Sequence, residues 1–170
     1  MTVNVKTRHA LGHETEAVLA ALADPDFHDG KVRYVGGPGS KLISFERDPA
    51  GDRLVAVTRQ EIDRDDLPGI ARRFTRGPVY AERREEWRLS PTWSSAEFTV
   101  DVPGAPMRSG GRLSLLSDGD DACTLTVRTY LSVSAPLMSR SIERAMADNV
   151  RDWLRDEYHF TTRWLTGERL

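Results

Sequence analysis

The sequence predicts one α+β domain over residues 1–170, in which a curved antiparallel sheet of about six to seven strands wraps around a long C-terminal helix. Short runs of alternating apolar and polar residues follow one another from Lys41 to Val133, and turns rich in glycine, proline, aspartate and serine separate them. An amphipathic segment then closes the chain. Because a twisted sheet buries its apolar face, that segment is its natural cover.

The N-terminal part predicts a strand and short helices. Val3 to Ala10 alternates as a strand does, and Glu14 to Ala23 has the apolar spacing of a short helix. The residues at 24–26 end this helix, and Asp26 to Asp29 predict one more helical turn. From Lys31 onward the period of the pattern is two.

Several strand-like runs follow, each with one apolar and one polar face. They are Lys41–Arg47, Arg53–Ile62, Val79–Leu89, Ser94–Val102, Gly111–Leu116 and Thr124–Val133. The segment from Asp63 to Gly77 fits neither a strand nor a helix. It is interpreted either as a surface connection or as a lid over a cavity, with Phe74 as its plug.

The closing segment predicts a helix of roughly 28 residues that begins near Pro136 and ends near Gly167. At 100° per residue, one stripe is mainly apolar and the opposite face is charged. The stripe holds Met138, Ile142, Met146, Asn149, Trp153, Phe160 and Trp164, and the charged face holds Arg140, Arg144, Asp148, Arg151, Arg155 and His159.

Composition excludes several classes of protein. A net charge of −2 argues against nucleic acid as a partner, since phosphate contacts need a clustered basic surface. The single cysteine, Cys123, cannot form an internal disulfide, and no apolar run is long enough for a signal peptide or a membrane span. We therefore expect a cytoplasmic protein without stable membrane insertion; the oligomeric state is left open.

The sequence contains no motif that indicates a metal, a cofactor or a covalent nucleophile. The glycines before Lys41 lack the Gly-Lys-Ser/Thr order of a phosphate loop, and Gly12 interrupts the spacing between His9 and His13. The SDGDD segment at 117–121 is an ordinary hairpin turn, too short for a calcium loop. We therefore expect no bound metal and no cofactor.

Four segments carry a resemblance to a known superfamily: DLPGIARRF, REEW, FTVDVPGAPMRSGGRLSLL and IERAMADNVRDWLRDEYHFTTRWL. With the order of elements, they resemble an actinobacterial family of uncharacterised proteins within the START-like (SRPBCC, helix-grip) superfamily, most closely from Asp66 to Leu165. The resemblance implies a sheet that grips the terminal helix around an apolar cavity. Superfamily members bind lipids, sterols, polyketides or plant hormones, and some are cyclases, dehydratases or subunits of hydroxylating enzymes.

Polar residues on faces expected to be apolar mark a candidate site. Period two places Arg83 and Glu85 on the same side of their strand as Trp87, and helical spacing places Asn149 and Glu157 on or beside the apolar stripe. Buried charges need partners, water or a ligand. Alternatively, the opposite face of the strand points inward, and these residues are solvated.

The leading hypothesis is a non-catalytic carrier of a hydrophobic small molecule, such as a lipid or a polyketide-like metabolite. The predicted cavity wall is Trp87, Phe98, Ile142, Met146, Trp153 and Phe160, and the predicted polar contacts are Arg83, Glu85, Asn149 and Glu157. One alternative is a cyclase, dehydratase or isomerase with Glu85 or Glu157 as general base and Arg83 stabilising an enolate. Another is a protein-interaction module with a solid core.

Overall fold

The computed structural model describes residues 2–66, 77–105, 107–133 and 140–168, with only the backbone at 66 and 140–143. The helices are α1 (Thr15–Leu22), α2 (Pro25–Val35) and α3 (Arg140–Leu165). The strands are β1 (Thr2–Leu11), β2 (Lys41–Arg47), β3 (Arg53–Ile62), β4 (Val79–Arg88), β5 (Trp93–Asp101), β6 (Met107–Ser117) and β7 (Cys123–Val133).

All seven strands form one antiparallel sheet in the order β1-β7-β6-β5-β4-β3-β2. The chain runs as a meander from β2 to β7, and β1 pairs with β7 along its whole length. Both α2 and α3 pack against the sheet and against each other. The predicted START-like architecture, with a curved sheet, a long terminal helix and short N-terminal helices, is confirmed.

The prediction was wrong about α2, which is longer than one turn. Asp24 caps it by accepting a hydrogen bond from the backbone N–H of Asp26 at 2.9 Å, and the helix then runs for 11 residues. The predicted helical turn ended at Asp29, but Gly30 lies inside the helix. A Cβ there would come within 2.9 Å of the Phe160 ring, so glycine allows α2 and α3 to approach closely.

The buried face of the terminal helix lies close to the predicted apolar stripe. At two places it is shifted by one residue along the sequence. From Arg144 onward the charged face of this helix is exposed, as expected. Met146 and Trp153 are half-buried, whereas Ala147 and Leu154, one position later in each turn, are buried. Residues 134–139 and the side chain of Ile142 lie outside the described part of the chain.

The described residues form two apolar clusters in the interior. The main cluster joins the sheet to all three helices and includes Leu54, Trp87, Phe98, Leu113, Leu154 and Phe160. The second cluster lies at the other end of β4 and consists of buried Ile62, Ala81 and Val102 with half-buried Val79, Val100, Ala105, Met107 and Trp153 packed against them. The candidate site lies between the two.

Candidate functional site

Strand β4 directs Arg83 and Glu85 into the interior. Glu85 is 4% exposed and lies between the buried residues Ala81 and Trp87 in the alternation of the strand. The opposite face carries Arg84, which pairs with exposed Glu86 on the outer surface at 2.9 Å. The interpretation that placed Arg83 and Glu85 on a solvated face is therefore wrong.

Four charged side chains from three elements meet beneath α3. We call Lys31, Arg83, Glu85 and Glu157 the charge cluster. Glu85 Oε1 lies 3.4 Å from Lys31 Nζ and 2.9 Å from Arg83 Nε, and Arg83 Nη1 donates a hydrogen bond of 2.8 Å to Glu157 Oε1. The cluster thus links α2, β4 and α3 and contains two positive and two negative charges.

The surroundings of Glu85 keep it ionised. Burial alone would raise the pKa of its carboxyl, but the charges of Arg83 and Lys31 and a 2.8 Å hydrogen bond from Trp87 Nε1 together hold that pKa well below its ordinary value. A carboxylate so strongly stabilised is a poor proton acceptor. The hypothesis that Glu85 is a general base is therefore not supported.

One edge of the Arg83 guanidinium makes no hydrogen bond within the described part of the chain. Nε and Nη2, which together form this edge, are both shielded from solvent and unbonded. Nε is close to Glu85, but the two atoms are not aligned as a hydrogen bond requires. The guanidinium carbon lies 4.4 Å from the centre of the Phe98 ring. Buried unbonded donors are rare and costly, so this edge is suited to an acceptor from outside the chain.

The main cluster leaves little free space. A cavity of about 40 Å³ lies between the sheet and α3, bordered by apolar side chains and by His9, Lys31, Glu157 and Thr161. A cavity of this size has room for only a few water molecules, whereas pockets for drug-sized ligands measure roughly 300–1,000 Å³. A larger groove of about 330 Å³, lined in part by Arg53, lies on the outer face of the sheet and does not reach the charge cluster.

The predicted cavity wall is divided between the two clusters. Trp87 and Phe98 are buried in the main cluster, and Phe160 is fully buried against α2 and Trp164, so its predicted contact with a ligand is not supported. Trp153 belongs to the second cluster. Met146 and Asn149 are half-buried on α3, where Asn149 makes an interaction within the protein.

The proposed lid falls largely on residues 67–76, outside the described part of the chain.

Sequence reasoning missed the contribution of α2 to the site. Lys31 and His28 are 8% and 1% exposed. The His28 Nε2–H donates a hydrogen bond of 2.8 Å to the Leu22 carbonyl oxygen, and burial, followed by the charge of Lys31, lowers the pKa of this imidazole. The spacing of Phe27 and Lys31, four residues apart on one helix face, was the available signal.

The glycine-rich segment is a structural turn, as expected. The Glu61 carboxylate accepts a hydrogen bond of 2.6 Å from the backbone N–H of Gly39, and the Ser40 hydroxyl accepts one of 2.9 Å from the backbone N–H of Glu61. A carboxylate at this position would repel a phosphate. The turn therefore joins α2 to β2 and β3.

Comparison with known proteins places this chain in a family. Residues 6–165 match the family described as a protein of unknown function (DUF2505). The chain belongs to this family. An uncharacterised protein of Mycobacterium tuberculosis is 23% identical to it over 116 residues, which are 67% of each chain.

Solved structures share the fold at low sequence identity. A conserved protein from Geobacillus kaustophilus has a TM-score of 0.63 at 15% identity, covering 97% of this chain and 96% of its own. A START superfamily protein from Mycobacterium smegmatis has a TM-score of 0.56 at 11% identity, covering 95% and 98%. The Zhui aromatase/cyclase from Streptomyces sp. R1128 also scores 0.56, at 12% identity, covering 99% and 93%. None of the described helices has both the length and the apolar composition needed to cross a bilayer.

Proposed function

We propose that this protein binds a hydrophobic small molecule between the sheet and α3, with the apolar part on the second cluster and the polar end at Arg83. The observation that carries the proposal is the unbonded edge of the Arg83 guanidinium, Nε and Nη2. A shielded donor without any acceptor, as Nη2 is, costs about 1–3 kcal/mol. A bound molecule that supplies an acceptor removes this cost.

The second cluster suits a guest better than the main cluster does. Phe160 and Trp87 in the main cluster are at most 2% exposed and already packed. Val100, Met107 and Trp153 in the second cluster are only half-buried. Covering their remaining apolar surface would contribute roughly 25 cal/mol per Å² before ordering costs.

Access to the guanidinium edge requires side-chain movement, because Nε and Nη2 are shielded from solvent. Trp153 and Met107 pack against the second cluster and are half-buried, so we expect a change of rotamer in either side chain to open a path to the guanidinium. We therefore expect binding to be accompanied by a change in tryptophan fluorescence. Trp153 packs against the second cluster from α3, so its fluorescence should report the binding.

An enzymatic role is the second candidate, and Glu157 favours it. This carboxylate borders the small interior cavity and also bonds Arg83. The structural neighbour named as an aromatase/cyclase shows that the same fold occurs in an enzyme of that name. Incubation of the protein with a bound ligand, followed by mass spectrometry, separates the two functions. A carrier returns the ligand unchanged, whereas an enzyme returns a product.

Titration with the neutral dye Nile red tests the proposed site. Wild-type protein should give a saturable rise in dye fluorescence. Val100 lies directly opposite Arg83 on β5, so the amide of Val100→Gln can reach the guanidinium edge and adds a polar group to the apolar surface. We expect this variant to raise the Kd for the dye by at least about tenfold.

The matched control is Thr99→Gln, which places the same side chain at the preceding, exposed position. This variant should leave the Kd for the dye unchanged. Circular dichroism establishes that both variants are folded. Absence of saturable binding by the wild type, or equal affinities of the two variants, would overturn the proposed site.

A further inference from the structure

We infer that the polar end of the bound molecule is an uncharged hydrogen-bond acceptor, such as a ketone or ester carbonyl or a hydroxyl oxygen, rather than a carboxylate, a phosphate or an amine. This inference rests on the proposed function and specifies the ligand class. It follows from the balance of charges in the cluster and from the balance of donors and acceptors around Arg83.

The charges of the cluster already cancel. Lys31 and Arg83 contribute two positive charges, and Glu85 and Glu157 contribute two negative charges. His28, beside them, is held in its neutral form by burial. A charged head group would therefore leave one net charge in a poorly solvated interior, and such a charge costs several kcal/mol unless it is paired.

Donors outnumber acceptors at the guanidinium edge. Glu85 Oε1 is shared between Lys31 and Arg83, Glu85 Oε2 accepts from Trp87 Nε1, and Glu157 Oε1 accepts from Arg83 Nη1. Nη2 remains without an acceptor, and Nε, although 2.9 Å from Glu85 Oε1, is not aligned for a hydrogen bond with it. The atom that completes the edge must accept hydrogen bonds, and an ammonium group, which has only donors, cannot do so.

A carboxylate also meets direct repulsion. Glu85 Oε1 lies 2.9 Å from the same Nε that a carboxylate would approach. Two anions would then share one cation, and their repulsion is only weakly screened away from water. A carbonyl oxygen has two lone pairs, can accept from both Nε and Nη2, and brings no net charge. The site therefore favours neutral amphipathic molecules.

Displacement of bound Nile red by probes that differ only at the polar end tests the inference. The probes are dodecan-2-one, sodium dodecanoate and dodecylammonium chloride, each used below its aggregation concentration. Wild-type protein should bind dodecan-2-one at least about tenfold more tightly than either ion, because only the ions unbalance the cluster.

The Glu157→Gln variant should reduce or abolish the preference for dodecan-2-one over dodecanoate. Removing one carboxylate leaves an excess positive charge, so binding of dodecanoate relative to dodecan-2-one should strengthen by at least about tenfold. The control is Glu86→Gln, which removes the same charge from the outer, exposed face of β4 and should keep the wild-type order. If Glu157→Gln does not fold, the order of the three probes on the wild type decides the question.

The outcomes distinguish the two proposals. A wild-type protein that does not bind Nile red contradicts the proposed function and the inference together. If the wild type binds the dye and dodecanoate displaces it at least as well as dodecan-2-one does, the inference alone is overturned. Failure of dodecan-2-one to displace bound dye overturns it as well.

Discussion

Replacing Glu85 with glutamine tests whether the charge cluster holds the fold together. Glutamine keeps the shape of the side chain and an oxygen for the 2.8 Å hydrogen bond from Trp87, so the main change is the lost charge. Lys31 and Arg83 then lose a shared partner in a site where their side chains are 10% and 15% exposed. Removing one member of a buried ion pair costs about 3–5 kcal/mol.

We expect Glu85→Gln to lower the free energy of unfolding by that amount and the Tm by roughly 6–20 °C. Urea unfolding followed by circular dichroism measures the loss. The matched control is Glu86→Gln, whose partner Arg84 is half exposed and whose loss should cost at most about 1 kcal/mol.

A double variant, Lys31→Met with Glu85→Gln, should recover part of the stability because it also removes the lysine that the single change leaves unpaired. The reasoning is refuted if Glu85→Gln costs no more than Glu86→Gln. It is also refuted if the double variant is no more stable than Glu85→Gln alone.

Two further predictions concern α2. Because burial lowers the pKa of His28, the unfolded chain binds a proton more readily than the folded one, and wild-type stability should fall as the pH drops below about 6.5. His28→Gln should lose less stability than wild type between pH 7 and pH 5 in urea titrations; an equal loss would contradict this. Gly30→Ala should cost about 1–3 kcal/mol because its Cβ would meet Phe160, whereas Gly12→Ala, which has open space, should lie within about 0.5 kcal/mol of wild type in the same assay.

The strands were predictable because their periodicity is local. The limits of β2 and β3 agree with the predicted runs, since turn residues bound both runs at each end. Strand β6 begins earlier than predicted, at Met107, because Gly110 and Gly111 interrupt the apolar alternation. A Cβ on Gly111 would collide with the carbonyl oxygen of Arg128, so close strand pairing explains this glycine.

The candidate site was predictable only in part. Alternation on β4 placed Arg83 and Glu85 on the same face as Trp87 but left open whether that face points inward, and the helical stripe placed Glu157 at its edge; the structure buries Arg83 and Glu85 and pairs Arg83 with Glu157. The spacing of Phe27 and Lys31 could have placed Lys31 on a buried helix face, but no local pattern pairs it with Glu85, which lies 54 residues away along the chain. It also assigned Phe160 to a cavity, although Gly30 allows α2 to pack against that ring.

The sequence by itself determined which residues form strands and helices and which face of each is apolar, because the backbone geometry of a strand or a helix sets those periods locally. Tertiary structure alone decided that α2, β4 and α3 bring two cations and two anions within ion-pair distance, and that one edge of Arg83 is left unbonded. Ion pairs and packing depend on distances between elements that are far apart in the chain. Those distances follow from how the helices lie on the sheet, which no local pattern encodes.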